Sequence, residues 1–406
     1  MKDRIGVREA HRGANRQDQQ IRLEAAVTLE TVTTVAGVAA LAPYYERLHR
    51  ATGNTSPFAL HEWHLIWCRH FLNCNPRIHD EPLFYVLRNS AGTCVAIVPF
   101  VISRRKVGPL KFASINLLGA DPAITELRAP IVDPDYERLT ASAVQHHLAA
   151  CDGWDWVHWT GISKQFGEAL SVEGNLQWQP ALSDSVLDMA PTWEEFRRGL
   201  KRNIRESLRH CYNSLKRDNH HFELHVIEDP AGVGRGLDRF LELHIMRANL
   251  KSTVMHPNRF ASEVCRNFLY AVCERLAERG AVRLFQLEVD SQVVAMRIGF
   301  VVGDSLYLYY SGFDPAWSRY SVMTTTIAEA IKYAIERGIK TVSLSPAKDI
   351  SKTRWGARQV DYRSAYAQNR RLRSRLAQRV YMTARSGEGL QSWVLQHLIP
   401  ARHDWH

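Results

Sequence analysis

The sequence has little of what characterises secreted or membrane-spanning proteins. Its seven cysteines are an odd number in 406 residues, and they are scattered without a C-x-x-C pair. This usage predicts free thiols in a reducing compartment rather than a disulfide framework. No apolar run approaches the ~18 residues that a membrane helix needs. The first residues are charged throughout, so we expect no secretory signal and a cytoplasmic protein.

Motifs for metal or covalent catalysis are also missing. The chain has no G-x-S-x-G, Walker or Rossmann fingerprint. His61 and His64 have i, i+3 spacing, but no carboxylate completes a ligand pattern with them, so no metal site is predicted. Cys211 follows His210 on a basic helix, and we interpret it as a structural thiol.

The composition is that of a globular protein, with 45% hydrophobic and 23% charged residues. A chain of this length predicts two or three domains. The formal net charge is +10, which favours an anionic partner: nucleic acid, anionic lipid or a phosphate-bearing cofactor. The surplus does not choose among them.

The positive charge is concentrated in three segments: 1–22 (net +3), 196–217 (net +7) and 370–385 (net +6). The first is interpreted as a flexible tail. The other two carry aliphatic stripes typical of amphipathic helices, which could bind nucleic-acid phosphates or lie on an anionic membrane surface. The near-absence of aromatics at 370–379 disfavours a single-strand stacking platform.

The predicted elements repeat. Each half has helices, an antiparallel meander, a helix and a strand, and the segment 180–191 is interpreted as the connector between them. A capping box, Thr192 with Glu195, opens the long basic helix of the second half. The predicted divisions are a flexible basic tail, an N-terminal domain, a C-terminal domain and a basic helix with its tail, at 1–22, 23–185, 186–368 and 369–406.

Three stretches carry a family resemblance: GFDPAWSRYS at 312–321, IAEAIKYAIERGIKTVSLS at 327–345 and K-T-R-W-G at 352–356. They resemble CelD/BcsL-type acyltransferases, relatives of the GNAT N-acetyltransferases and of the FemAB aminoacyltransferases. The resemblance implies an α/β fold of two tandem GNAT-like domains, with mixed, mostly antiparallel sheets flanked by helices. It also implies acetyl-CoA or another acyl-CoA as co-substrate, no tightly bound cofactor, and an amino or hydroxyl acceptor on a saccharide or cell-envelope precursor.

The sequence departs from this family at the expected donor loop. Val322 and Met323 replace the Pro-Gly that usually follows the Tyr-Ser pair, and Gly normally lets backbone N–H groups approach a pyrophosphate. Donor binding would then rest on the helix N-terminus and nearby hydroxyls. The donor-binding candidates are Tyr310, Ser311, Tyr320, Ser321 and Thr324.

Acyl transfer needs a base for the acceptor, hydrogen-bond donors for the oxyanion and a proton for the leaving thiolate. Glu288 is the candidate base, with an exposed position or an ion pair to Arg297 as the alternative. Tyr309 is the candidate acid. Strand alternation places it on one face with Tyr307 and Ser311, and Tyr310 on the other face; simple packing is the alternative for these tyrosines.

The remaining candidates surround that strand. Asp314 is a third catalytic candidate, or a turn residue before Pro315. Arg297 lies mid-strand among apolar residues, so it must be paired or must bind the acceptor. Lys352, Arg354 and Trp355 would form a cationic rim for phosphates, or belong to a solvated charged run.

The sequence therefore predicts an enzyme, a GNAT-type N-acyltransferase that moves an acyl group from acyl-CoA by direct attack. Two alternatives stay open. One is a FemAB-like aminoacyltransferase that uses aminoacyl-tRNA, and the other is a non-catalytic polyanion-binding factor in polysaccharide assembly. The expected partners are a small-molecule or glycan acceptor and, through the basic helices, the inner face of an anionic membrane.

Overall fold

A computed structural model describes residues 27–107, 110–120, 124–172, 176–250, 256–346 and 350–385. The predicted flexible tail, 1–22, and the end of the chain after 385 lie outside the described residues. Within the described part, no helix combines the length and apolar character needed to cross a membrane.

The N-terminal half alternates short helices with a meander of strands. Its elements are β1 (Val27–Val32), α1 (Val35–Ala39), α2 (Ala42–Thr52), α3 (His61–Phe71), β2 (Ile78–Asn89), β3 (Cys94–Val107), β4 (Leu110–Leu117), β5 (Ile131–Val132), α4 (Glu137–Ala150), β6 (Trp156–Ile162), α5 (Lys164–Ser171) and β7 (Leu176–Asp188).

The C-terminal half repeats this order after two added helices. Its elements are α6 (Trp193–Gly199), α7 (Arg202–Arg217), β8 (Phe222–Ile227), α8 (Pro230–Ala248), α9 (Glu263–Ala277), β9 (Val282–Val289), β10 (Gln292–Val302), β11 (Ser305–Phe313), α10 (Val322–Glu336), β12 (Thr341–Pro346), α11 (Ile350–Thr353), β13 (Arg358–Gln368) and α12 (Leu372–Arg385). The fold class is confirmed: α/β, with two tandem units of one plan on a mixed sheet.

Two sequence-based boundaries differ in the structure. The expected connector at 180–191 is largely strand β7, which pairs with β12 on one edge and with β13 on the other. The expected long basic helix is broken at Leu200, which is extended at ψ 147° and ends α6 before α7 begins. The helix expected at 370–385 is present as α12.

The two halves share one sheet, in the order β1-β2-β3-β4-β6-β13-β7-β12-β11-β10-β9-β8, with β5 paired to β3. Near its centre the halves exchange strands. The last strand of the C-terminal half, β13, lies between β6 and β7, and β7 in turn pairs with β12. The halves are therefore joined by backbone hydrogen bonds as well as by the chain.

Each half also contains one pair of parallel strands that soon diverge. β4 pairs with β6 only at 114–116 with 156–158, and β11 pairs with β12 only at 305–307 with 341–343. Beyond those three residues each pair separates, which leaves an opening in the sheet at the ends of β4 and β11.

One apolar cluster takes side chains from both halves. It joins α2 and α3 to α8 and α9 and to the strand faces beneath them, with Trp63 fully buried at its centre. Helices α7 and α10 cover the opposite face of the C-terminal strands. Gly312 lets α8 lie directly on β11, because a Cβ there would stand 2.3 Å from the His244 backbone nitrogen.

Candidate active site

Strand β11 carries a β-bulge next to the opening. Arg297 lies opposite Ser311 and Gly299 opposite Leu308, so Tyr309 and Tyr310 together face the single residue Ile298. Both tyrosines pack against the same apolar cluster, with their ring centroids 4.4 Å apart. The predicted placement of Tyr310 on the opposite face is therefore wrong, because a bulge interrupts the alternation of side chains.

A carboxylate from the N-terminal half meets this strand. Glu126 precedes β5, and the Tyr307 hydroxyl donates a 2.8 Å hydrogen bond to its Oε2. Burial raises the pKa of Glu126 to about 7, although the Tyr307 hydrogen bond and the charges of Lys352 and Arg297 oppose the rise. A carboxyl group that titrates near neutral pH is suited to accept a proton in catalysis.

The backbone around Glu126 is fixed by contacts with both halves. The Trp63 indole Nε1 donates a 3.0 Å hydrogen bond to Thr125 Oγ1, and the Tyr309 hydroxyl donates to the carbonyl oxygen of Ile124. Ile124 and Thr125 are both fully buried. The position of the carboxylate is thus set by packing on either side of it.

The end of β12 holds further polar groups near this carboxylate. Lys352 Nζ donates to the carbonyl oxygens of Ser345, at 3.1 Å, and Pro346, at 2.8 Å. Asp184 on β7 accepts 2.9 Å hydrogen bonds from the Ser343 hydroxyl, and burial raises its pKa. Lys352 therefore covers a strand end, where its charge acts on Glu126.

A second polar region lies at the N-terminus of α10, which follows β11 in the chain. This cavity of about 350 Å³, called the anion pocket below, is lined by Asn203, Glu206, Ser207, His210, Ser321, Thr324 and Arg354. Ser321 has φ +52° and makes no side-chain cap on the helix. Arg354 Nη2 donates to Thr324 Oγ1 at 3.0 Å. The helix dipole and this guanidinium both favour an anion.

Sequence reasoning found three of these seven residues, Ser321, Thr324 and Arg354. It missed the contribution of α7. Asn203, Ser207 and His210 follow one another at i, i+4, i+7, which places them on one helix face. This polar stripe on a basic helix was the feature of the sequence that could have indicated that α7 lines the pocket.

Several predicted residues have other surroundings. Glu288 lies opposite Val293, whereas Arg297 lies opposite Phe285, so the strand register does not support the ion pair that was one alternative for these two residues. Glu288 Oε1 instead accepts a 2.7 Å hydrogen bond from Gln286. Asp314 Oδ1 accepts from the Ala316 backbone N–H at 2.9 Å, which is the turn interaction.

Three more predicted residues are packed into the body of the fold. Trp355 is only 1% exposed and lies in the apolar cluster beneath α7 and α10, which excludes it from an exposed rim. The buried Tyr320 hydroxyl donates to Asp218 Oδ2 at 2.9 Å. The Ser311 hydroxyl accepts a 2.5 Å hydrogen bond from Arg247 Nη1.

Residues 202–364 match the family described as an acetyltransferase (GNAT) domain. In structure the chain is similar to FemX, with 12% identity and a TM-score of 0.55, over 82% of this chain and 97% of FemX. It is also similar to the C-terminal domain of a putative lysylphosphatidylglycerol synthetase from Agrobacterium fabrum, with 14% identity and a TM-score of 0.47, over 86% and 99% of the two chains.

A tandem GNAT protein of the clavulanic acid biosynthesis pathway aligns over 84% of this chain and 98% of its own, with 10% identity and a TM-score of 0.42. No curated protein matches the chain in sequence. The C-terminal half is thus similar to an acetyltransferase (GNAT) domain, and this family match supports an acyltransferase. The resemblance to CelD/BcsL-type enzymes stays a prediction.

Proposed function

We propose that the protein transfers an acyl group from acyl-CoA to an amino or hydroxyl group, with Glu126 as the general base. The observation that carries the proposal is the hydrogen-bonded pair of Glu126 and Tyr307 beside the diverging strands β11 and β12. A pKa of about 7 leaves Glu126 half-ionised at neutral pH, where a base both accepts and returns a proton efficiently.

The reaction is a direct attack. The acceptor nitrogen or oxygen forms a bond to the thioester carbonyl carbon, Glu126 takes the acceptor proton, and the C–S bond breaks to release the CoA thiolate. Tyr307 supplies a proton to that thiolate and regains one from Glu126. We assign this role to Tyr307 rather than Tyr309, because the partner of the Tyr307 hydroxyl is the Glu126 carboxyl group, which can return a proton, whereas the Tyr309 hydroxyl donates to the Ile124 carbonyl oxygen.

The donor phosphates fit the anion pocket. Its Arg354 and the first turn of α10 supply hydrogen-bond donors and positive charge, which phosphate oxygens need. The chain runs from the bulge on β11 directly to this helix. A CoA molecule held by its phosphates here would have its thioester arm near the strand opening.

A separate cavity of about 290 Å³ suits the acceptor. Leu127 and Arg128, which follow Glu126 in the chain, line it together with Ser163 and Tyr362. Its hydroxyl groups and arginine suit a polar acceptor such as a saccharide or cell-envelope precursor.

Isothermal titration with acetyl-CoA tests the donor. We expect binding by the wild type and a loss of about tenfold or more in affinity for Arg354→Ala, since a charge-assisted hydrogen bond contributes ~1.5–3 kcal/mol. Arg337→Ala is the control, because Arg337 is 58% exposed and pairs with Glu228 away from the pocket. Absence of acetyl-CoA binding, or equal affinity of Arg354→Ala and wild type, would contradict the proposal.

Aminoacyl-tRNA is the second candidate donor, favoured by the exposed arginines Arg202, Arg205 and Arg209 on the helix that borders the anion pocket. If it is the donor, tRNA binding should weaken steeply with salt and fall on charge reversal at Arg205 and Arg209, while acetyl-CoA should not bind. An absence of turnover with either donor would favour the non-catalytic alternative.

A further inference from the structure

The N-terminal half has a basic pocket of its own at the hairpin of β3 and β4. This basic pocket encloses about 440 Å³, and six of its twelve lining residues are Lys or Arg, against one Asp. The six are Arg77, Arg104, Arg105, Lys106, Lys111 and Arg373. It is formed by other strands than the proposed active site, and the acyltransferase proposal makes no use of it.

Two of these cations have acidic partners. Arg104 pairs with Glu81 at 2.6 Å, and Arg373 lies 3.7 Å from Asp155. The Asp155 oxygens also accept from the Ala113 backbone at 2.8 Å and the Ser374 hydroxyl at 2.6 Å. Among the described residues, no carboxylate forms an ion pair with the other four cations. The pocket therefore keeps a positive charge that an anion would neutralise.

Arg105 is the most informative of the four because it is only 4% exposed. Its Nη1 donates to Ser114 Oγ at 3.1 Å, and its guanidinium lies over the Tyr381 ring, 5.7 Å from the centroid. Its Nε has no hydrogen-bond partner within the described part of the chain. A buried guanidinium without a counter-ion is costly, and a phosphate entering the pocket would offset that cost.

Helix α12 forms one wall of the basic pocket and carries an unusual outer face. Arg373 lines the pocket, while Leu372 and Leu376 on the same helix are 79% and 59% exposed. Arg375 and Arg379 are exposed beside these leucines. Exposed leucines flanked by arginines are typical of helices that lie in a membrane interface.

We propose that the basic pocket and the outer face of α12 together bind an anionic phospholipid surface. A lipid phosphate enters the pocket and contacts Arg105, while Lys106, Lys111 and Arg77 face neighbouring headgroups. Leu372 and Leu376 enter the acyl boundary of the leaflet. A free phosphate or a nucleic acid would satisfy the cations alone, but neither would cover the two leucines.

Flotation of the full chain with phosphatidylcholine vesicles, with and without phosphatidylglycerol, tests this surface. We expect binding only to the anionic vesicles. Lys106→Glu with Lys111→Glu should weaken it by about 30-fold or more, since each basic residue near the surface contributes ~1 kcal/mol. Leu372→Ser with Leu376→Ser should also weaken it while leaving the net charge unchanged.

Arg235→Glu with Lys340→Glu is the matched control, because both residues are exposed on the C-terminal half and the net charge changes equally. Equal weakening by this control would show non-specific attraction and overturn the proposal. So would tight binding of inorganic phosphate or RNA without vesicle binding, or full vesicle binding by the double-leucine variant.

Arg105→Lys, with folding checked by circular dichroism, should bind anionic vesicles more weakly than the wild type. Acetyl-CoA affinity should be unchanged in all these variants, so the membrane proposal can fail independently of the acyltransferase proposal.

Discussion

Replacing Glu126 with Gln changes one proton-binding group and keeps its shape. Gln retains an oxygen that can accept the Tyr307 hydrogen bond, 2.8 Å long in the wild type. It cannot accept a proton from an acceptor nucleophile. If Glu126 is the general base, Glu126→Gln should lower turnover by about 10²–10⁴-fold while acetyl-CoA affinity stays near that of the wild type.

The same substitution should lower turnover but raise the stability of the fold relative to the wild type as the pH increases. Burial raises the Glu126 pKa from 4.5 to about 7, so the folded protein holds this proton more tightly than the unfolded chain does. The resulting stabilisation is complete below pH ~4.5 and is lost as the pH rises through the folded-state pKa. The shift amounts to about 3 kcal/mol at most. Glu126→Gln has no such proton, so its stability relative to the wild type should increase between pH ~4.5 and ~7 and then level off.

Two measurements check this prediction. Thiol release from acetyl-CoA, in the presence of a panel of amine and sugar acceptors, gives turnover against pH, and wild-type kcat/KM should rise with an apparent pKa of about 7. Urea unfolding at several pH values gives the stability difference. Glu288→Gln is the matched control, because Glu288 lies two strands away from β11 and should change neither quantity strongly.

Two results would refute the reasoning. Turnover of Glu126→Gln within a few-fold of the wild type would show that another group removes the proton. A stability difference that does not vary with pH would show that the Glu126 carboxyl titrates as it does in the unfolded chain. In that case the desolvated environment described for Glu126 would be wrong as well.

Three further predictions concern the packing around this site. Gly312→Ala should destabilise the fold by ~1–3 kcal/mol or more, because the new Cβ would lie 2.3 Å from the His244 backbone nitrogen. Gly199→Ala is the control, since a Cβ there has no atom within 4 Å. Equal urea midpoints for the two variants would contradict the close approach of α8 to β11. Thr125→Val should cost ~1–3 kcal/mol in the free energy of unfolding by removing the partner of the Trp63 indole, and an unchanged free energy would show that this hydrogen bond is not formed. The partly exposed Cys74 and Cys151 should react with a thiol reagent in the native protein before the buried Cys273, whose pKa burial raises; mass spectrometry of the labelled peptides decides the order.

The repeated plan of the fold was accessible from the sequence because each element has a local signal. The capping box at Thr192 predicts the helix start, and Thr192 Oγ1 does accept from the Glu195 N–H, at 3.2 Å. The polar turn at Asp290 and Ser291 predicts the β9–β10 hairpin, and both residues have positive φ. Such signals depend only on residues a few positions apart.

The candidate base was not accessible in this way. Glu126 is one acidic residue in an irregular segment, and its hydrogen-bond partner Tyr307 is 181 positions further along the chain. The bulge at Tyr309 and Tyr310 has no signature in its own sequence either, because a bulge exists only relative to the neighbouring strand. Alternation alone therefore placed Tyr310 on the wrong face. The strand register that separates Glu288 from Arg297 could not be derived from the sequence of either strand.

The segment that carries Glu126 also explains why the two sheet openings differ. In the N-terminal half, β4 ends and the chain returns as β5, which takes the place beside β3 at Ala96 and Ile97. The main chain of Arg128 then packs against Gly161 on β6, so closely that a Cβ on Gly161 would stand 2.8 Å from the Arg128 carbonyl oxygen. The opening between β4 and β6 is thus filled by the chain itself.

In the C-terminal half, β11 continues through a short turn into α10, and no corresponding strand is inserted among the described residues. The segment that closes one opening delivers its carboxylate to the other, so the site in the C-terminal half depends on the N-terminal half being folded against it.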